Sequence, residues 1–175
     1  LGLLADPFRG IASTADALTD ADLRFAPARA TDGAEIEVTQ GTLNRILAGP
    51  DREARRTAYE HYTDQFLAFK NTLATALSTS LKQNVFQMRV RRYESTLDMA
   101  LSRHNVPTEV FHNLIATFRK HLPIWHRYWA VRRKMLGVDT LQPYDVWAPL
   151  TDSQPQVPFE QAIDWIARGL APMGE

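Results

Sequence analysis

Five histidines, His61, His104, His112, His121 and His126, are the residues of this 175-residue chain best able to ligate a metal or relay a proton. Their spacing limits what they can do. A zinc hydrolase helix needs H-E-x-x-H, because histidines four residues apart share one face and converge on one ion. No two of the five are four apart, and His121 and His126 lie five apart across Pro123, on different faces. A di-iron bundle needs Glu-x-x-His on two helices plus two further carboxylates. Glu109-Val110-Phe111-His112 supplies one such run and no other glutamate has a histidine three residues on, so it reads as half of a pair arising by chance. His61 and Asp64 have the spacing of a ligand pair, but the reading preferred is a solvated helix surface. Cysteine is absent, which removes disulfides, iron–sulfur clusters, Cys-ligated zinc and thiol catalysis together. There is no G-x-S-x-G, P-loop or G-x-G-x-x-G run, and no arrangement of Ser, His and Asp specific enough to name a triad. The expectation is therefore no catalytic residue and no metal ligand in this chain, with the substrate-binding residues unknown.

Charge offers a second kind of chemistry. Lys plus Arg and Asp plus Glu each number 20, so the net charge is zero, but residues 82–134 carry 11 basic and 3 acidic side chains. Residues 1–81 and 135–175 are both net acidic. A central basic block with interleaved aromatics, Arg119-Lys120, Trp125, Arg127, Tyr128, Trp129 and Arg132-Arg133-Lys134, could stack on single-stranded nucleic acid. At helical spacing the same residues make an aromatic core face beside a charged one, and that reading is preferred. Sixteen of the twenty basic residues are Arg; its planar fork holds carboxylates bidentately, which suits structured ion pairs.

The elements that must position these residues are mostly helical. Hydrophobic content of 45% and charged content of 23% suit an ordinary globular chain with a core. No apolar run reaches the roughly 18 residues of a membrane span, and no signal peptide is evident, so a cytoplasmic protein is expected. Residues 11–21 are Ala-rich and read as helix. Thr31-Asp32-Gly33 between extended runs predicts a β-hairpin over about 25–38 with a Pro27 edge strand. Thr39 is placed to cap a short helix to about Leu47, ended by Gly49-Pro50, and Asp51 to cap a long one over about 51–91. Its apolar stripe runs from Tyr62 through Phe66, Phe69, Leu73 and Leu77 to Met88 in steps of three or four, with no Pro or Gly. Further helices are expected over about 94–103, 107–122, 123–136, split at Pro123, and 158–170. Tyr144–Leu150 reads as extended and 151–157 as a polar loop. The chain begins with Leu1 and stops just after a helical pattern, which suggests a piece of a longer polypeptide.

Several runs, in order, carry a resemblance. Arg92-Tyr93-Glu94-Ser95-Thr96-Leu97 through Ala100-Leu101, then Asn105-Val106-Pro107-Thr108-Glu109-Val110, is similar to the R-Y-x-S-x-L-x-x-A-L and N-[IV]-P-x-E-V runs of the oligoendopeptidase F family, the bacterial branch of the M3 zinc oligopeptidases. Leu122-Pro123, His126-Arg127-Tyr128, Arg132-Arg133 and Leu136-Gly137-Val138-Asp139 follow, and then Tyr144-Asp145-Val146-Trp147-Ala148-Pro149-Leu150. Upstream, Asp20–Phe25, the Asp32-Gly33 turn and Pro50-Asp51-Arg52-Glu53 with Arg55-Arg56 also fit. The resemblance implies a mostly α fold, a long-helix bundle with a small hairpin, forming part of a large peptidase that cleaves short peptides inside a closed channel. It also implies one zinc, held by H-E-x-x-H and a downstream Glu that lie beyond Glu175. None of those ligands falls on this chain, which is expected to bind no zinc itself and to serve as channel wall and scaffold, inactive alone. Its expected partners are the missing C-terminal catalytic half and short peptide substrates, with no membrane and no nucleic acid. Tyr93 and Tyr144 could face the channel or pack between helices. Exposed apolar patches near 107–136, with self-association, would follow. A free-standing helical interaction module is the alternative.

Overall fold

The computed structural model describes residues 5–151, 157–171 and 174. The chain is all-α apart from one small antiparallel hairpin. Helix α1 (Ala5–Asp16) runs into a π-helical turn (Ala17–Asp22), followed by strands β1 (Ala28–Arg29) and β2 (Glu35–Ile36). Helices α2 (Gln40–Leu47), α3 (Arg52–Ala68), α4 (Lys70–Val90), α5 (Thr96–Ser102) and α6 (Thr108–Met135) come next. A 3-10 turn (Pro143–Asp145) and α7 (Phe159–Leu170) complete the order.

The hairpin turns where Asp-Gly predicts. Gly33 takes φ 86°, a conformation that costs glycine no steric clash, and its N–H donates to the Ala30 carbonyl at 2.9 Å. Ala28 faces Ile36 and Arg29 faces Glu35. The ladder is much shorter than 25–38. A side chain of α3 takes the place of further pairing: Thr57 Oγ1 accepts from the Arg29 N–H at 2.8 Å and lies 3.1 Å from the Arg29 carbonyl. Ala28, Val38, Ile46, Ala54 and Ala58 form the buried core between hairpin, α2 and α3, with Phe25, Ile36, Leu43 and Tyr62 packed on it.

Local hydrogen-bond chemistry sets the helix starts. Thr39 Oγ1 accepts from the Thr42 N–H at 3.1 Å and the Thr42 hydroxyl accepts from the Thr39 N–H at 2.8 Å, a reciprocal box that opens α2. Asp51 Oδ1 accepts from the N–H groups of Glu53 and Ala54 at 2.9 and 3.0 Å, and Oδ2 from that of Thr31 at 2.8 Å. One carboxylate thus caps α3 and ties it to the hairpin turn. The Thr31 amide, then that of Ala54, holds the Asp51 carboxyl below the usual carboxylate range.

Three expected boundaries are corrected. The helix over 51–91 is two helices, because Phe69 leaves helical geometry at φ −103°, ψ 16°. No Gly or Pro marks the break, so the apolar stripe runs through it. The opposite holds at Pro123: helices 107–122 and 123–136 are one continuous helix, α6, of 28 residues. Proline costs an interior helix its hydrogen bond to the residue four before it. Here Pro123 and Arg119 are both exposed, so water can serve the freed Arg119 carbonyl. Residues 144–150 are not extended: Pro143–Asp145 winds into a 3-10 turn around the Asp145 carboxylate, whose Oδ2 accepts from the Gln142 N–H at 3.1 Å. Most of the expected 151–157 loop, residues 152–156, lies outside the described residues.

Left-handed residues close the C-termini of three helices. Arg92 (φ 59°), Asn105 (φ 52°) and Gly137 (φ 65°) each follow a helix. After α4 the Tyr93 N–H reaches the Met88 carbonyl at 3.0 Å, and after α6 the Val138 N–H reaches the Arg133 carbonyl at 3.3 Å, the Schellman pattern.

Candidate functional site

The most concentrated polar chemistry among the described residues is where the Pro143–Asp145 turn meets α3. Asp145 is fully buried. Arg52 grips it with two bonds, Nε to Oδ1 at 3.1 Å and Nη2 to Oδ2 at 2.9 Å, and Arg55 Nη2 adds a third to Oδ1 at 3.2 Å. Burial opposes ionisation of Asp145. The bonds from Arg52, the Gln142 amide and Arg55 outweigh it and hold the carboxyl below its ordinary range. Arg55 spends its remaining donors on backbone: Nε on the Tyr144 carbonyl at 3.1 Å, and Nη1 on the Gly49 and Pro50 carbonyls, both at 2.8 Å. The turn before α3 and the turn after α6 are thereby bound to one guanidinium.

A third arginine arrives from α6. Arg132 Nε and Nη2 each lie 3.4 Å from the Asp145 carbonyl, Nη2 also donates to the Ala148 carbonyl, and Nη1 lies 3.4 Å from the Tyr128 hydroxyl. Arg132 is the buried residue of α6. It fixes residues 145–148 against that helix, so Val146–Leu150 forms one wall of a groove and Ile124, Trp125, Tyr128, Trp129 and Arg132 the other. The groove encloses about 910 Å³. Its aromatic wall is built at i, i+3 and i+4 spacing on α6. Trp125 stacks on Trp129 with centroids 6.1 Å apart, and Tyr128 meets Trp129 edge-on at 4.8 Å. Trp147 stands 67% exposed across from them. The groove holds no nucleophile–base pair; its chemistry is that of a binding surface.

The histidines and carboxylates singled out from sequence scatter, whereas Trp125, Tyr128, Trp129 and Arg132 of the basic, aromatic run come together in the groove. The His61 Nδ1 lies 2.9 Å from the Pro27 carbonyl, a bond to the hairpin rather than a shared ligand set with Asp64. Glu109 and His112 are exposed on the first turns of α6, where His112 touches the Phe111 ring. His104, His121 and His126 are exposed. Among the described residues no three of His, Cys, Asp and Glu come together, so these side chains do not fit a zinc site. Tyr93 lies in the turn between α4 and α5 and is half-buried. Tyr144 packs under the Arg52 guanidinium, 5.4 Å from its ring centroid, and 6.2 Å from the Tyr59 ring. Asp145, Arg52 and Arg132 carry the site, yet sequence reasoning gave Asp145 and Arg52 no role of their own and placed Arg132 only on the charged side of an aromatic helix face. The signals pointing to them are the excess of Arg over Lys and their place in the runs that carry the family resemblance.

Large apolar side chains elsewhere find no cover. Val110, Leu114, Phe118 and Met135 of α6 are exposed, as are Phe159, Ile163, Ile166 and Leu170 of α7, and Leu77 and Leu81 of α4. Neither α4 nor α7 has a buried residue. No helix among the described residues is long and apolar enough to cross a membrane.

Comparison with known proteins gives this arrangement a context. Residues 46–170 match the model of peptidase family M3. The chain is 39% identical over 164 residues to oligopeptidase PepF of Bacillus subtilis, covering 93% of this chain and 24% of that protein. It is 34% identical over 168 residues to the group B oligopeptidase PepB of Streptococcus agalactiae, covering 96% of this chain and 28% of that one. It superposes on the crystal structure of oligoendopeptidase-F from Enterococcus faecium with a TM-score of 0.84 and 30% identity, over 98% of this chain and 32% of that one. The chain thus spans about a quarter of the length of the curated relatives it matches.

Proposed function

The chain belongs to peptidase family M3, and on that premise we propose that it is a non-catalytic part of a zinc-dependent metalloendopeptidase acting on short peptides in the cytoplasm. The zinc ligands and the general base are assigned in this reading to the remainder of the polypeptide, since the H-E-x-x-H run the family uses does not occur in this sequence. There the metal would polarise the scissile carbonyl and activate water. The work of these 175 residues is architectural: they supply channel wall and a platform on which the catalytic part is assembled.

The observation that carries this reading is the uncovered apolar surface of α6 and α7 in a chain one quarter the length of its relatives. Monomeric proteins rarely leave contiguous apolar patches of that kind in water. By contrast the hairpin, α2 and the first turns of α3 enclose a core of their own.

Peptide cleavage and zinc content, measured on the 175-residue chain and on the whole peptidase, test it. The whole peptidase should cleave a quenched-fluorescence peptide of bradykinin size and carry about one zinc, and the 175-residue chain should do neither. Cleavage with stoichiometric zinc in the short chain would overturn the reading. A whole protein that cleaves no peptide would favour a helical interaction module.

A further inference from the structure

Among the described residues, the charges buried beside the groove do not balance. Arg55 and Arg132 are 3% and 7% exposed, while Asp145 is the one buried carboxylate among the described residues. Asp145 is committed to Arg52 and Arg55 through its carboxylate and gives Arg132 only its backbone carbonyl. Arg132 bonds to two carbonyls and a phenol, and no carboxylate among the described residues lies within 4.0 Å of it. A guanidinium taken out of water without a counter-charge is costly even when its N–H groups find carbonyls. Arg132 also lines the groove, and its contact with the Tyr128 hydroxyl is long.

We infer that the groove between α6 and residues 146–150 seats an apolar segment from the part of the peptidase outside these 175 residues, and that a carboxylate of that segment pairs with Arg132. Two observations specify the occupant. The aromatic and aliphatic walls, Trp125, Tyr128, Trp147 and Leu150, ask for apolar side chains, and the excess buried positive charge asks for an Asp or Glu among them. About three quarters of the relatives' length lies outside the matched region, so the same polypeptide has the material to supply both. An acidic side chain here completes the ion pairing on the α6 side of the Asp145 turn and places the incoming segment in register with it. The inference rests on the proposed function, since it takes the occupant from the same peptidase chain.

The test uses the whole peptidase with Trp147 replaced by the photoreactive residue p-benzoylphenylalanine. Irradiation, digestion and mass spectrometry should show a cross-link to a segment of the same chain, outside these 175 residues, that contains Asp or Glu. A cross-link only to added substrate peptide, only to a second molecule, or to no segment at all would overturn the inference. A double-mutant cycle then tests the charge pairing. Arg132→Met and the neutral amide variant of the identified carboxylate should each lower the thermal midpoint by several degrees, and the double variant should fall no further than either alone. Additive losses would overturn the pairing. Peptide cleavage by the unsubstituted enzyme separates the two levels: if it cleaves while the cross-link goes elsewhere, the docking inference alone fails, whereas no cleavage removes the proposed function first.

Discussion

The two ends of this molecule bury their apolar residues differently. Around the hairpin, α2 and α3, side chains such as Ala28, Val38 and Ala58 are enclosed by elements of the same chain. Along α6 and α7, Leu114, Ile124, Ile163 and Ile166 face outward, although the helices themselves are regular. The first region is stabilised by its own packing. The second keeps its form through backbone hydrogen bonding and through Arg132, which binds the end of α6 to the Asp145 turn. Between them the Asp145 turn is the link that holds α6 to α3.

The largest effect should come from cutting that link. Asp145→Ala leaves Arg55 buried without its carboxylate, and a cost of about 3–5 kcal/mol is expected, read from urea unfolding. A loss under about 1 kcal/mol would mean the arginines relax into water and the link is superficial.

The next test sets the two regions against each other. Leu114 is 65% exposed, so Leu114→Ala should change the stability of the 175-residue chain by no more than about 0.5 kcal/mol. In the whole peptidase the same substitution should cost about 2–5 kcal/mol if the rest of the chain covers α6. Equal small effects in both would place α6 on an outer surface. Within the packed region, Thr57→Val removes the acceptor of the Arg29 N–H, and about 1–3 kcal/mol should be lost, measured by thermal unfolding.

Acid separates the regions as well. Asp51 and Asp145 both have folded pKa values held below their ordinary ones. Their stabilising contribution is therefore complete above the unfolded carboxylate value of about 3.9 and is lost as pH falls through the folded values. Stability should be flat near neutrality and fall below about pH 4, with a shallower acid slope in Asp51→Asn. An unchanged slope would remove Asp51 from the linkage. The smallest expected effect is a gain: Arg92 holds φ 59° at the end of α4, and Arg92→Gly should stabilise by about 0.5–1 kcal/mol, seen as a higher urea midpoint.

What was legible in the sequence follows the range of the forces involved. Asp51, Thr39 and Asp32-Gly33 announce caps and a turn because their partners lie within three residues. The break at Phe69 carries no breaker residue, and Pro123 lies within a continuous helix at a position where it and Arg119 are both exposed to water. The 3-10 turn at Pro143–Asp145 was hidden because the carboxylate it winds around is held by arginines 90 and 93 positions away. Arg52, Arg55 and Arg132 stand in the runs that carry the family resemblance, but only the fold shows that two of them share one carboxylate and that the third has none within reach among the described residues.

The most direct measurement is amide hydrogen exchange on the 175-residue chain and on the whole peptidase, compared helix by helix. Amides of α3 and the hairpin should be protected in both, whereas those of α6 and α7 should exchange faster in the short chain and become strongly protected in the whole enzyme. Equal protection of α6 and α7 in the two forms would contradict the proposal that the rest of the peptidase covers these faces.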